Sequence, residues 1–335
     1  PFGGEGKLET GEAEEESIAL PDPLFPPERL DFTSRKLDSF SFTGLAHAAE
    51  SRETTRSYGE RFGRRDEETE TVEETEVVLR DPILPKGERT GSMIHEVFEK
   101  VNYGEVLEAA SPDELLRANG PALALVKEHL NRFRIVPQSD EERYDACVKE
   151  SLRWVWNALQ LRLPIGGDFQ LGSLSKEDRQ HEAEFFYPIP EAGELGFSDG
   201  DLRPLEISNS KEGILNGFID LMFRHEGRYY LLDWKTNFLG DYSTDSVTHS
   251  MNEHRYTLQY RIYSIALHRL LAASLPDYDP QLHFGGVVYL YVRGIDPNRP
   301  EQGVYWRPAS EIESAEEIEK DLFYRVHGVE REAAR

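Results

Sequence analysis

The sequence predicts an α/β core with an added helical region behind a largely irregular N-terminal segment, and three observations carry that reading. Between about residues 90 and 161 apolar side chains recur at helical spacing. From Glu182 to Lys235 they give way to short runs rich in Ile, Leu, Phe and Tyr. A long helical stretch and further strand follow, so the order is helices, a β-meander, a helix and more strand.

Residues 1–84 read as an acidic, Pro-containing tether: a Gly/Glu opening, a Pro-rich patch at Pro21–Pro27 and an acidic run from Asp66 to Glu76. Such a composition buries too little apolar surface to offset its ordering entropy. One short helix is expected there, over Ser41–Ala49. The globular part is expected over 85–335. Thr90 is expected to cap a helix over Gly91–Val101, with Ile94, Val97, Phe98 and Val101 as its buried stripe. Ser111-Pro112-Asp113-Glu114 is a capping box with Pro at the first helical position. Helices are further expected near Pro121–Phe133 and Glu141–Leu161. Strands follow at Glu182–Ile189, Leu205–Ser208, Gly213–Phe223 and Tyr229–Lys235. Then come a helix over Arg255–Ala273, strands at Phe284–Val292 and Gly303–Trp306, and a closing helix over Ile312–Val326.

Cys147 is the only cysteine, which excludes an internal disulfide and any cluster held by several thiolates. No stretch approaches the roughly 18 to 20 apolar residues of a membrane helix. Nothing reads as a secretory signal, so the cytoplasm is the expected location. The chain opens on Pro1, which predicts an excised or processed fragment. The net charge of −25 predicts a solvated acidic surface and speaks to association, not to fold.

The chemistry concentrates on one hairpin, Gly217–Phe223 and Tyr229–Lys235. An even-numbered loop centred on Glu226-Gly227 pairs Asp220 across from Asp233, and like charges so opposed destabilise a sheet unless something neutralises them. A divalent cation with hard oxygen ligands does so. Lys235 lies two residues beyond Asp233 and so shares its face. Two carboxylates, a metal and an ammonium form a set that phosphodiester hydrolysis needs. A D-x-K tripeptide alone is common on exposed strands. Asp220 adds weight, because an unpaired carboxylate within an apolar strand is costly. Glu182 and Glu184 share a face, and either fits as a third carboxylate. His95, beside Phe98 at the edge of its stripe, is a further candidate ligand or else a satisfied core residue. Gln259 and Tyr263, one helical turn apart, fall on the stripe of Ala266 and Leu270 and so face inward, where both need partners.

Together these residues resemble the PD-(D/E)xK nuclease superfamily, and within it the C-terminal nuclease domain of bacterial RecB. GSMIHEVFEK, EAEFFYPIP, GFIDLMFRHEGRYYLLDWK and HRYTLQYRIYSIALHRLL with FGGVVYLYVRG carry the resemblance, over about residues 85–325, with a faint echo at Phe40–Leu45. It implies a restriction-endonuclease-like core, a mixed central sheet flanked by helices. It implies His95, Asp220 and Asp233 as metal ligands and Lys235 as the catalytic lysine. Glu182 would be the acid of the first core strand, its Glu-x-x-Phe spacing to Phe185 favouring it over Glu184. Gln259 and Tyr263 match the family's Q-x-x-x-Y element. The implied cofactor is Mg²⁺, as one or two ions, with Mn²⁺ able to substitute and Ca²⁺ binding without cleavage. The implied substrate is unwound single-stranded DNA at double-strand ends. The implied partners are RecC, RecD and the helicase portion of RecB, with RecA as a further one. No G-x-x-x-x-G-K-[ST] loop is present, so no ATPase activity is expected. Delivery of the strand by the helicase would account for an acidic surface where a DNA-binding protein usually has a basic one. Two rivals stand beside this reading: a catalytically silent module that binds RecA or sister subunits, and a metal-dependent phosphohydrolase of small molecules.

Overall fold

The computed structural model describes residues 38–41, 82–166, 169–189, 195–197, 205–207, 213–322 and 324–325. Beyond Ser41, the helix expected over Ser41–Ala49 lies outside the described residues, as does most of the stretch read as a tether. From within that stretch, strand β1 (Asp38–Ser41) pairs in the central sheet.

Among the described residues, five helices follow β1. Helix α1 (Glu88–Lys100) begins three residues before the expected start, and Thr90 is not its cap. Gly87, at φ 98°, takes a backbone conformation that L side chains disfavour. Its carbonyl then accepts the N–H groups of Thr90 (3.1 Å) and Gly91 (3.3 Å), which draws Thr90 inside the helix and buries it. The stripe of Ile94, Val97, Phe98 and Val101 is buried as expected. Short α2 (Tyr103–Glu108) precedes α3 (Pro112–Ala118), where Ser111 Oγ accepts the Glu114 N–H at 3.3 Å. The Glu114 carboxylate reaches back to the N–H of Ala110 (2.7 Å), one residue before the cap. Helices α4 (Pro121–Arg132) and α5 (Glu141–Gln160) fall within a residue of expectation.

The sheet strands are β2 (Arg179–Ile189), β5 (Gly213–His225), β6 (Arg228–Lys235), β7 (Phe284–Tyr291) and β8 (Val304–Pro308), joined by β1. Their order is β1-β5-β6-β7-β8, with β2 on the other edge of β5. The β1–β5 and β6–β7 pairs are parallel and the rest antiparallel, so the sheet is mixed. Strands β1 and β6 occupy the same edge of β5 at its two ends, leaving Gly217–Asp220 between them. β3 (Leu195–Phe197) and β4 (Leu205–Ile207) form a second small sheet with a terminal strand, β9 (Tyr324–Arg325).

Helix α6 (Thr244–Glu253) is not anticipated by the sequence, because its apolar stripe is only Val247 and Met251. The long α7 (Tyr256–Ser274) and short α8 (Pro280–His283) follow. Leu270 is exposed, so the inward stripe of α7 ends at Ala266. Its last turns bury Leu267, His268 and Leu271 instead, with His268 against Tyr278 and Phe284. The closing helix, α9 (Ala315–Leu322), is shorter than expected. Ser314 and Glu317 form a capping box that fixes its start, with Ser314 N and Oγ donating to the Glu317 carboxylate (3.0 and 2.7 Å) and Glu317 N to Ser314 Oγ (3.3 Å).

Two apolar cores sandwich the sheet. Tyr230, Leu232 and Trp234 of β6 and Val288 and Leu290 of β7 pack with α1–α5. Leu231 of β6 and Val287, Tyr289 and Tyr291 of β7 pack with α6, α7 and α9 on the other face. Trp234 stacks flat on Phe98 of α1, centroids 3.9 Å apart, which fixes α1 against β6. Among the described residues no helix is long and apolar enough to cross a membrane.

Candidate metal centre

The hairpin turn is the two-residue Glu226-Gly227, with φ of 48° and 78°. Positive φ at both positions matches the right-handed twist of the flanking strands. The ladder runs in phase from His225↔Arg228 to Leu221↔Leu232. The even loop therefore holds, and Asp220 and Asp233 are next in register. The ladder stops one pair short of them. There the Asp220 carboxylate accepts the Trp234 N–H at 2.8 Å.

On the other edge of β5 the ladder is interrupted at one place. Pairing runs from Arg179↔Phe223 to His181↔Leu221 and resumes at Ala183↔Ile219, so Glu182 stands opposite Asp220 outside the regular pairs. Glu182 has φ 48°, a left-handed conformation that costs a non-Gly residue roughly 1–2 kcal/mol. Both strands exchange faces at this point. Ala183, Tyr187, Leu215 and Ile219 belong to the α7-side core. Leu221 and Phe223 belong to the α1-side core, and His181 contacts Tyr103 there. Because the crossing lies at Glu182 and Asp220, their carboxylates meet a side chain from the opposite helical layer, His95 of α1.

The ligand atoms of His95, Glu182 and Asp220 lie within 4.8 Å of one another. His95 Nε2 is 2.9 Å from the Trp234 carbonyl, which can only accept, so Nε2 carries the proton. Nδ1 faces Asp220 Oδ1 at 3.4 Å, pairing with that carboxylate when the ring is protonated and able to offer a lone pair to a cation when it is neutral. An imidazole with one nitrogen held by a carbonyl and the other aimed among carboxylates has the orientation of a metal-ligating histidine. One imidazole and two carboxylates form a donor set that fits a divalent cation. The neighbouring Glu96 turns elsewhere: it pairs with Lys100 (2.7 Å) and Arg132.

Asp233 and Lys235 adjoin this group on the α7 face, both buried and 2.8 Å apart. Lys235 Nζ also donates to Gln259 Oε1 (3.2 Å) and lies 3.8 Å from the Tyr256 ring centroid and 5.4 Å from that of Tyr289. The same Oε1 accepts from Tyr289 Oη (3.1 Å), and Gln259 Nε2 donates to Tyr263 Oη (3.1 Å). The partners that buried Gln259 and Tyr263 needed are therefore each other, Tyr289 and Lys235.

Electrostatics separate the two aspartates. Burial, reinforced by the charge of Asp220, pushes Asp233 up to about 7 against the pull of Lys235 and His95. Burial also acts upward on Asp220, but His95, Lys235 and the Trp234 N–H outweigh it and hold its carboxyl below the usual range. Burial, and then Arg179, push His181 down to about 4 despite Asp220 nearby, so its imidazole is neutral at pH 7.

Seven of the eight residues singled out from the sequence lie in these two adjoining groups: His95, Glu182 and Asp220 in one, and Asp233, Lys235, Gln259 and Tyr263 in the other. Glu184 is exposed, opposite Phe218, and is not among the three grouped ligands. The left-handed backbone at Glu182 is what breaks the alternation that put the two glutamates on one face. Tyr256 and Tyr289 are missed by sequence reasoning. The available signals were that Tyr256 precedes Gln259 by three residues and that a strand beside Asp233 must supply it a neighbour.

The profile of the PD-(D/E)XK nuclease superfamily matches residues 70–334. The chain is similar to the RecBCD enzyme subunit RecB of Escherichia coli, 36% identical over 247 residues, covering 68% of this chain and 19% of that protein. The same subunit of Haemophilus influenzae is 31% identical, covering 68% and 18%, and that of Mycobacterium tuberculosis 29%, covering 63% and 21%. The chain thus matches about a fifth of the length of these relatives.

Proposed function

Because the chain belongs to the PD-(D/E)XK nuclease superfamily, we propose that it is the Mg²⁺-dependent nuclease portion of a RecB-type helicase-nuclease, hydrolysing phosphodiester bonds of unwound single strands during double-strand break processing. The observation that carries the proposal is the convergence of His95, Glu182 and Asp220 beside the buried Asp233–Lys235 pair. His95 Nδ1 and the carboxylates of Glu182, Asp220 and Asp233 would hold the cation. The chemistry such a cation supplies is Lewis-acid polarisation of the phosphate and a water acidic enough to attack near neutral pH. Lys235 orients the attacking water and offsets charge that develops on the phosphate. Gln259, fixed by Tyr263 and Tyr289, holds the ammonium in place. Burial of this group keeps bulk water from screening it.

The same proposal makes RecC, RecD and the helicase portion of RecB its partners, with RecA as a further contact. Residues 1–84 serve as the tether, lending β1 to the sheet. Delivery of the strand by the helicase explains how a chain of net charge −25 acts on DNA. The test is cleavage of linear single-stranded DNA by wild type and Asp233→Ala with Mg²⁺, Mn²⁺, Ca²⁺ or chelator. Cleavage in Mg²⁺ and Mn²⁺ alone, lost in the variant, is expected. Undiminished cleavage by the variant, or in chelator, overturns the proposal. Hydrolysis of free nucleotides in preference to the strand would favour a small-molecule phosphohydrolase.

A further inference from the structure

We infer that Tyr256 is a positioning residue for Lys235 and is itself pinned by Asn237; its catalytic consequence rests on the nuclease reading above. Arg255, at φ 57°, turns the chain sharply at the start of α7 and makes Tyr256 the first helical residue. The turn lays the Tyr256 ring against the Lys235 ammonium, 3.8 Å from Nζ to centroid. Tyr289 forms a second wall at 5.4 Å, and the two rings lie 6.0 Å apart at 25°. The Tyr256 hydroxyl meets Asn237 Nδ2 at 3.3 Å, and Asn237, two residues beyond Lys235, is itself buried. The carbonyl of Asn237 accepts the Tyr242 hydroxyl at 3.0 Å, which fixes the segment leaving β6.

A lysine side chain has substantial rotamer entropy to lose, so an ammonium that must meet a reacting water gains from walls that restrict it. Asp233 and Gln259 engage Nζ through charge and hydrogen bonding, while the ring attracts the cation through its face and blocks a swing toward the start of α7. Small displacements at such a centre are costly to rate, about 10²-fold for an ångström. Tyr256 meets the Lys235 ammonium through its ring and Asn237 through its hydroxyl, and acts through Lys235.

The experiment uses the whole chain. Tyr256→Leu should lower kcat on single-stranded DNA about tenfold, with KM and the Ca²⁺ dissociation constant unchanged. Tyr256→Phe, which keeps the ring, should stay within about threefold of wild type, and Asn237→Ala should lose about threefold. In a Lys235→Met background, adding Tyr256→Leu should change the residual rate less than about twofold, since the ring would have nothing left to hold. Equal losses in the Phe and Leu variants, or a tenfold loss that persists without Lys235, would overturn the inference. A second readout does not need cleavage. With ¹³C-labelled lysine, the Lys235 ε-methylene should show an upfield ring-current shift in wild type and Tyr256→Phe that is much reduced in Tyr256→Leu, where only the more distant Tyr289 ring remains. An unshifted resonance in wild type overturns the placement whether or not the chain cuts DNA. Absence of cleavage with the shift present counts against the nuclease reading alone.

Discussion

Replacing Lys235 with Met should make the stability of this domain fall with pH across a range where wild type is nearly flat. Lys235 is the main influence that lowers the pKa of Asp233, which burial and Asp220 have already pushed up to about 7. A carboxyl raised in the folded state favours folding when protonated, so its contribution is lost as pH rises from its unfolded value to its folded one. In wild type that loss is complete a little above pH 7. Without the ammonium the folded pKa rises further, and the loss continues upward at about 1.4 kcal/mol per pH unit. Over two units the variant should lose about 2.7 kcal/mol relative to wild type, consistent with roughly 3–5 kcal/mol for breaking a buried ion pair. Urea unfolding in chelator at pH 6, 7, 8 and 9 reads this difference directly. Parallel profiles for the two proteins would refute the reasoning, because they would mean that Lys235 does not hold the charge on Asp233.

Divalent-cation affinity, measured by calorimetry, should tighten as pH rises to about 7 and level off above it, since binding must displace the Asp233 proton; a pH-independent constant would contradict this. Glu182→Gly should weaken cation binding by about tenfold or more while costing no stability, because glycine accepts the φ of 48° at that position without strain. A denaturation midpoint well below that of wild type would count against backbone strain there. Trp234→Ala should cost about 3–5 kcal/mol of unfolding free energy through loss of its stack on Phe98. A loss under 1 kcal/mol would show that α1 is held to the sheet by something else.

The parts of this architecture that local chemistry decides were legible in the sequence. The Glu226-Gly227 turn set the hairpin register, and the stripe of Ile94, Val97 and Phe98 placed His95 at the edge of a buried helix face. Capping boxes did the same for helix starts, legibly at Ser111 and unnoticed at Ser314. What stayed hidden depends on strands adjusting to one another. Nothing in His181-Glu182-Ala183 announces a left-handed residue, yet that conformation lets β2 and β5 exchange faces together and brings Glu182 to Asp220. Strict alternation treated Glu182 and Glu184 alike for that reason. Tyr256 and Tyr289 reach Lys235 from a helix and a strand distant in sequence, and their apolar neighbours made both look like ordinary core. Leu270 shows the opposite failure, a stripe continued past the point where α7 turns its buried face toward Tyr278 and Phe284.

The proposed divalent cation sits where the faces of β2 and β5 cross, held by His95, Glu182 and Asp220 with Asp233 beside them. Anomalous diffraction from crystals grown with Mn²⁺ tests this placement most directly. A peak is expected about 2.1 Å from His95 Nδ1 and from carboxylate oxygens of Glu182 and Asp220, lost in Asp220→Ala. A saturating soak that leaves this position without density, or places the ion away from His95, would contradict it.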